Sequence, residues 1–305
     1  MTRKYLRNAL WLCAGALLFA TSSLAQKPGA KAQPTPRTLI FAVLDSGKRV
    51  EPIAAIEGGN LATISDTDPP AGKDFATVYY WPRTTYTIVF GGAADGKLTI
   101  AKSNIGTECG GSSAASSAAP SKAKLSNLVM ALATNAKLKA GQAAYRRRPT
   151  VDERGEIEKL VRAEFTKQGV AASALRNLRY HNLTALDLNS DGVPEFVGSY
   201  WIAPAADQRQ MLFFIAERDA AGKVILKVSD HAEVKNDDVM SGDVKDLDSG
   251  IGHELLLDVL DVDGDGIAEI FTMRQAFEGN NYHVYRLADG NWEKVHQTYS
   301  YRCAF

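Results

Sequence analysis

The chain of 305 residues is longer than one ordinary domain and long enough for two. Hydrophobic residues at 45%, charged at 23% and aromatic at 9% exclude a disordered or fibrous chain. A balance of 35 basic against 35 acidic side chains lacks the basic excess of a nucleic-acid binder, so no nucleic-acid partner is expected.

At the start of the chain, Arg3, Lys4 and Arg7 precede an apolar stretch over residues 9–20, and Ser23-Leu24-Ala25 stands ahead of Gln26. This pattern predicts a secretory signal peptide over residues 1–25 and a periplasmic or secreted mature protein. The apolar stretch is shorter than the ~20 residues of a spanning helix and no later run approaches it, so the mature chain should carry no transmembrane helix. Cys13 follows the bulky Leu10-Trp11-Leu12, unlike a lipoprotein cleavage box, and reads as part of the apolar stretch. Without residues 1–25 the charge is 32 basic against 35 acidic, a net −3. Residues 26–149 hold 16 basic and 8 acidic side chains and residues 150–305 hold 16 and 27, or +8 against −11. Such a dipolar chain docks its halves on each other or neutralises its acidic half with cations, and the motifs below favour cations.

Residues 26–36, small, polar and Pro-containing, read as a flexible leader. Residues 38–44, a turn at 45–48 and residues 50–56 read as a β-hairpin. Runs at 77–81, 86–90 and 98–101 are further strands between Gly-rich turns, giving an N-terminal β lobe over 37–109. Residues 110–149 read as a linker region. Its Ser/Ala/Gly stretch 110–122 has no apolar period, and Arg146-Arg147-Arg148 closes it as a solvated run. A helix is predicted over 151–168: Thr150 with Glu153 forms a capping box, Ile157, Leu160, Val161 and Phe165 make one stripe, and Gly169 stands at the stop. Cys109 and Cys303 are the two cysteines left in the mature chain, and an even count in an exported protein predicts a disulfide, with two separate thiols as the alternative.

Two segments share one spacing: Asp187-Leu-Asn189-Ser-Asp191-Gly192-Val193-Pro-Glu195 and Asp261-Val-Asp263-Gly-Asp265-Gly266-Ile267-Ala-Glu269. Oxygen side chains at positions 1, 3 and 5 converge if the backbone curls, and Gly at position 6 permits the turn. With the carbonyl of position 7 (Val193, Ile267) and the Glu at position 9, they would nearly complete a Ca2+ shell, so two Ca2+ sites are expected. Magnesium asks for tighter octahedral geometry, and zinc would want His or Cys. An EF-hand would need a Glu at position 12, where Gly198 and Thr272 stand, and flanking helices, where the sequence shows strand-like runs.

The pattern between strands resembles the calcium-binding repeat of the FG-GAP/VCBS type, found in integrin alpha-subunit propellers and many exported bacterial proteins, over residues 180–300. The resemblance implies Asp187, Asn189, Asp191, Glu195, Asp261, Asp263, Asp265 and Glu269 as side-chain ligands, with Val193 and Ile267 giving carbonyls. It departs from the family in ending on Glu rather than the frequent Asp and in having only two units, too few to close a propeller. The loops recur 74 residues apart, each inside a strand, loop, strand, hairpin unit. The expected fold is therefore mainly β: an antiparallel hairpin lobe, a connecting amphipathic helix, then two four-stranded blade-like repeats, propeller-like or packed as a sandwich.

The second loop carries four carboxylates against three, so it is expected to bind the more tightly, in the ~0.1–1 mM range of extracellular modules. No H-E-x-x-H, G-x-S-x-G, P-loop or dinucleotide fingerprint occurs, and His253-Glu254 reads as a strand-surface pair. The sequence thus points to an exported, calcium-stabilised, non-catalytic binding or cell-envelope protein. Family analogy alone offers a glycan or cell-surface protein as partner. An exported hydrolase with an inter-lobe site and purely structural calcium is the alternative.

Overall fold

The computed structural model describes residues 37–64, 73–138 and 146–303. The expected signal peptide and leader lie outside these residues. Strands β1 (Thr38–Leu44) and β2 (Arg49–Glu57) form the expected hairpin, and β3 (Asn60–Ala62) adds to the far side of β2. After helix α1 (Lys73–Tyr79) come β4 (Thr85–Phe90), β5 (Ala93–Ser103), β6 (Ala114–Pro120) and β7 (Ala131–Thr134). The order β1-β7-β4-β5-β6-β2 is closed by the antiparallel pairing of β1 with β2, making a six-stranded barrel. Closure removes the free edges that an open sheet of these strands would present.

Alternation along β1 shows how the barrel is filled. Leu39, Phe41 and Val43 point into the lumen with Tyr86, Ile88 and Leu98, whereas Ile40, Ala42 and Leu44 join an outer cluster. Two sequence expectations change here. Residues 77–79, expected in a strand, belong to α1, whose Phe75 and Tyr79, four residues apart on one helical face, plug the lumen beside Tyr80. The 110–149 region, expected as linker, contains β6 and β7. Ala114, Ser116 and Ala118 of β6 turn inward in alternation, and small side chains suit a lumen already filled by Phe41, Tyr80 and Tyr86.

The second half begins with β8 (Arg146–Arg147) and helix α2 (Val151–Lys167), whose Thr150–Glu153 capping box is present in both directions. Strands β9 (Arg179–Leu186), β10 (Glu195–Ala205), β11 (Gln208–Arg218) and β12 (Val224–Lys235) follow. Two short 3-10 segments lead to β13 (Glu254–Leu260), β14 (Glu269–Ala276), β15 (Gly279–Ala288) and β16 (Asn291–Tyr301). These strands form a five-stranded sheet, β12-β11-β10-β9-β8, and a four-stranded sheet, β13-β14-β15-β16, all antiparallel. The strand, loop, strand, hairpin repeat is therefore present. The sheets are not a pair of four-stranded blades, because β8 extends the first, and no propeller forms among the described residues.

The layers stack in sequence. Ile157, Val161 and Phe165 of α2 cover one face of the five-stranded sheet. Its other face packs on the four-stranded sheet through Val197, Phe213 and Ile215 against Leu256, Val259 and Ile270, as in a sandwich. Leu255, Leu257 and Phe271 on the opposite face of the four-stranded sheet meet the outer side of the barrel. That sheet is buried on both faces, which fits the leucines and valines at both alternating positions of β13.

Arg146 is a further correction. Expected in a solvated run, its side chain is buried, lies 3.2 Å from Asp258, donates to the carbonyls of Met130 and Leu257 and sits over the Phe90 ring. Cys109 and Cys303 form the expected disulfide, joining the segment before β6 to the residues after β16.

Candidate functional site

Both loops connect adjacent strands of their sheets, β9 to β10 and β13 to β14, and they curl in the same way. In the first, the Asp187 carboxylate accepts from the N–H of Asp191 and Gly192, Asn189 Oδ1 from Asp191 N–H, and Asp191 Oδ1 from Val193 N–H. In the second, Asp261 accepts from Gly264 and Gly266, Asp263 from Asp265, and Asp265 from Ile267. Side chains at positions 1, 3 and 5 thus hold the backbone of the turn, and Gly192 (φ 81°) and Gly266 (φ 94°) take the left-handed conformation that position 6 requires. Oxygens of Asp261, Asp263 and Asp265 all lie within 4.8 Å of one another. Asn189 in the first loop leaves two carboxylates at these positions, and its Nδ2 donates to Asp191.

Position 9 makes a contact of its own. Glu195 and Glu269 are buried, and each turns back to accept the N–H of position 2, Leu188 at 2.9 Å and Val262 at 2.8 Å. They clasp the loop ends together. Burial pushes the Glu195 carboxyl up to about 7, with nearby Asp191 and Glu217 adding to it and the Leu188 N–H opposing. Glu269 is also raised by burial, against the Val262 N–H and Arg286.

Three features are invisible in the loop motifs. Arg286 of β15 reaches into the second loop, 2.6 Å from Glu269 and 3.4 Å from Asp263. It offsets the extra carboxylate on which the expectation of tighter binding rested. Gly59, in the β2–β3 turn, approaches Asp263 so closely that a Cβ would lie 3.2 Å from its Cα, and its carbonyl accepts from Arg286. The two loops also touch: Ala268 N–H donates to the Leu188 carbonyl at 2.8 Å. Only strand pairing and sheet packing could have revealed these contacts, since the partners lie 80 residues or more apart in the case of the two loops.

Beside the first loop a cavity of about 400 Å³ is lined by Asn189, Asp191, Glu195, Glu217 and Trp292. Trp292 is buried and donates to Glu217 at 2.5 Å. Tyr200 and Trp201 are core, and Tyr299 is exposed. His253 and Glu254, expected on a strand surface, are buried because the five-stranded sheet covers that side of β13. Glu254 accepts from Thr272, Tyr285 and Arg274 and faces His283, an internal polar cluster. Among the described residues no helix is long and apolar enough to cross a membrane. No protein-family model, curated protein or solved structure matches the chain.

Proposed function

We propose that the chain is an exported, calcium-stabilised β protein in which both loops hold Ca2+ and the metal locks the seam between the two C-terminal sheets. The observation that carries this reading is the shared geometry of the loops. Two segments 74 residues apart close the same ring of hydrogen bonds around positions 1, 3 and 5 and are bonded to each other through Ala268 and Leu188. Three oxygens within 4.8 Å suit a hard cation that accepts oxygen ligands at flexible geometry. Asp187, Asn189 and Asp191, and Asp261, Asp263 and Asp265, are the holding residues, with Val193 and Ile267 as carbonyl donors. Glu195 and Glu269 would complete the ligand sets through Oε1 while their Oε2 atoms keep accepting the N–H of position 2. The resemblance to FG-GAP/VCBS repeats agrees with this assignment, and a non-catalytic role at a cell surface or in the envelope follows from it.

Unfolding with calcium and with chelator, on the chain from Gln26 and on Asp263→Ala, tests the reading. Calcium in excess of a ~0.1–1 mM dissociation constant should raise the melting temperature by several degrees, since 100-fold excess over that constant is worth about 2.7 kcal/mol per site. Asp263→Ala should remove about half of the rise. No shift at 10 mM calcium, or a full shift in the variant, would overturn it.

A further inference from the structure

The two C-terminal units repeat their loops but not the residue that faces position 9. Phe196 of β10 pairs with Ala216 of β11, and Ile270 of β14 pairs with Tyr285 of β15. One step nearer the loop, Glu217 therefore stands opposite Glu195 where Arg286 stands opposite Glu269. In the second unit the chain supplies its own guanidinium, 2.6 Å from Glu269 and 3.4 Å from Asp263, and the Gly59 carbonyl of the barrel turn accepts from it. In the first unit a second carboxylate holds that place, and the space beside it is the cavity of about 400 Å³. One loop is filled from within the chain and the other opens on a cavity.

That cavity stays acidic after its neighbouring cations are counted. Asp191, Glu195, Glu217 and Asp219 line it together with Arg218. Arg218 is held by Glu156 at 3.0 Å and donates to the Gly222 carbonyl, while Lys227 lies 3.8 Å from Glu217 and donates to the Gly290 carbonyl. With Glu156 included, five carboxylates face Arg218, Lys227 and the exposed Lys223 of the same turn, a net −2. Adding Asp187 and a calcium ion in the first loop gives six negative against five positive charges, a net −1. The excess is negative in either state. The rest of the wall is apolar, formed by Trp292, Leu287, Leu188 and Ile267. Glu217 Oε1 accepts from Trp292 Nε1, which fixes this carboxylate where the acidic and apolar parts meet. Such a wall suits an organic cation with an apolar stem rather than a bare metal ion.

We propose that the cavity binds an alkylguanidinium group, which takes beside Glu217 and Glu195 the place that Arg286 takes beside Glu269 and Asp263. The planar fork of a guanidinium matches a carboxylate, and Glu217 meets it through Oε2 while Oε1 stays with Trp292. Asp219 adds a second carboxylate at the rim, and the alkyl stem lies on Leu287 and Trp292. At roughly 30 Å³ per water-sized group, the cavity has room for on the order of a dozen such groups, enough for a guanidinium on a short chain. No bond is made or broken; the role is recognition, and it requires no ion in the loop.

The test is a titration, in chelator, of the isotope-labelled chain from Gln26 with butylguanidinium and with butylurea, which has the same shape without the charge. The readout is the indole N–H resonance of Trp292, assigned by Trp292→Phe. Butylguanidinium should shift it and leave those of Trp81 and Trp201 unchanged, and butylurea should be silent. Binding of N-acetylarginine amide as tight as that of butylguanidinium extends the site to an arginine side chain of a polypeptide, and its failure to bind restricts the site to a free small molecule. Glu217→Gln keeps the acceptor for Trp292 and should weaken butylguanidinium about tenfold, the scale of one charge-assisted hydrogen bond. Glu217→Arg gives the first unit the residue that β15 already carries and should abolish binding. Thermal unfolding verifies that the variants are folded. Asp219→Asn, exposed and keeping the acceptor oxygen of its turn, should weaken binding several-fold and serves if the Glu217 variants do not fold. No shift at Trp292, equal affinity for butylurea, or unchanged affinity in folded Glu217→Gln or in Asp219→Asn would overturn the proposal.

Discussion

His253 is the residue whose environment departs furthest from its chemistry. It is 1% exposed, and its ring lies edge-on to His181 with centroids 4.3 Å apart. Burial, with His181 and Arg274 nearby, lowers its pKa from 6.5 to about 3. Between those values the unfolded chain binds the proton and the folded chain does not. The stability contributed by neutral His253 is thus complete above pH 6.5 and falls steadily as the pH drops toward 3. Melting temperatures from pH 7 to pH 4 should fall more steeply in the wild type than in His253→Gln. Equal slopes would show that the imidazole is free to charge in the folded protein. The buried Glu254 escapes such a penalty because it is paired. Burial alone would raise the Glu254 carboxyl, but hydrogen bonds from His283, Thr272 and Tyr285 hold it at about 2.

Among the elements, β13 carries the most demanding position, since it lies in the middle of the stack with all seven residues buried. Its bulge at Leu256/Asp258 turns the Asp258 carboxylate toward the barrel, where it accepts from Gly91 N–H at 2.8 Å and pairs with Arg146 of β8. One side chain thus joins three elements. Asp258→Ala leaves the Arg146 charge buried without its partner and should cost about 3–5 kcal/mol, measured by denaturant unfolding. Asp258→Ala with Arg146→Met should recover much of that loss, because an apolar pair avoids the desolvation of both ions. This part of the fold was not legible in the sequence. The capping box at Thr150, the β1–β2 hairpin and the repeated loops were, because each is written in residues a few positions apart. The run Arg146-Arg147-Arg148 looked solvated because its carboxylate partner stands 112 positions on, and β6 looked like a linker because a strand lining a crowded lumen needs small side chains rather than an apolar alternation. The curled turns held by the side chains at positions 1, 3 and 5 were likewise readable, whereas Arg286 and Gly59 reach the second loop only through the packing of β15 and the barrel turn.

In the whole molecule, helix, five-stranded sheet, four-stranded sheet and barrel share continuous interfaces, so unfolding should follow a single transition, with the two acidic loops at the seam between the C-terminal sheets. The sequence arithmetic of +8 against −11 fits this arrangement: Arg146 from the basic half neutralises Asp258 in the acidic half, and Arg37 and Arg49 are balanced within the barrel by Glu57 and Asp45. The disulfide has a consequence of another kind. By tying Cys109 to Cys303, 194 positions apart, it makes the covalent chain between them a ring that contains β6 to β16. A protease that cuts once inside this ring opens it without releasing a fragment, and the two pieces stay one molecule until a reductant parts them. A first nick inside the ring is then survivable, and a shift between reducing and non-reducing gels after limited proteolysis would reveal it.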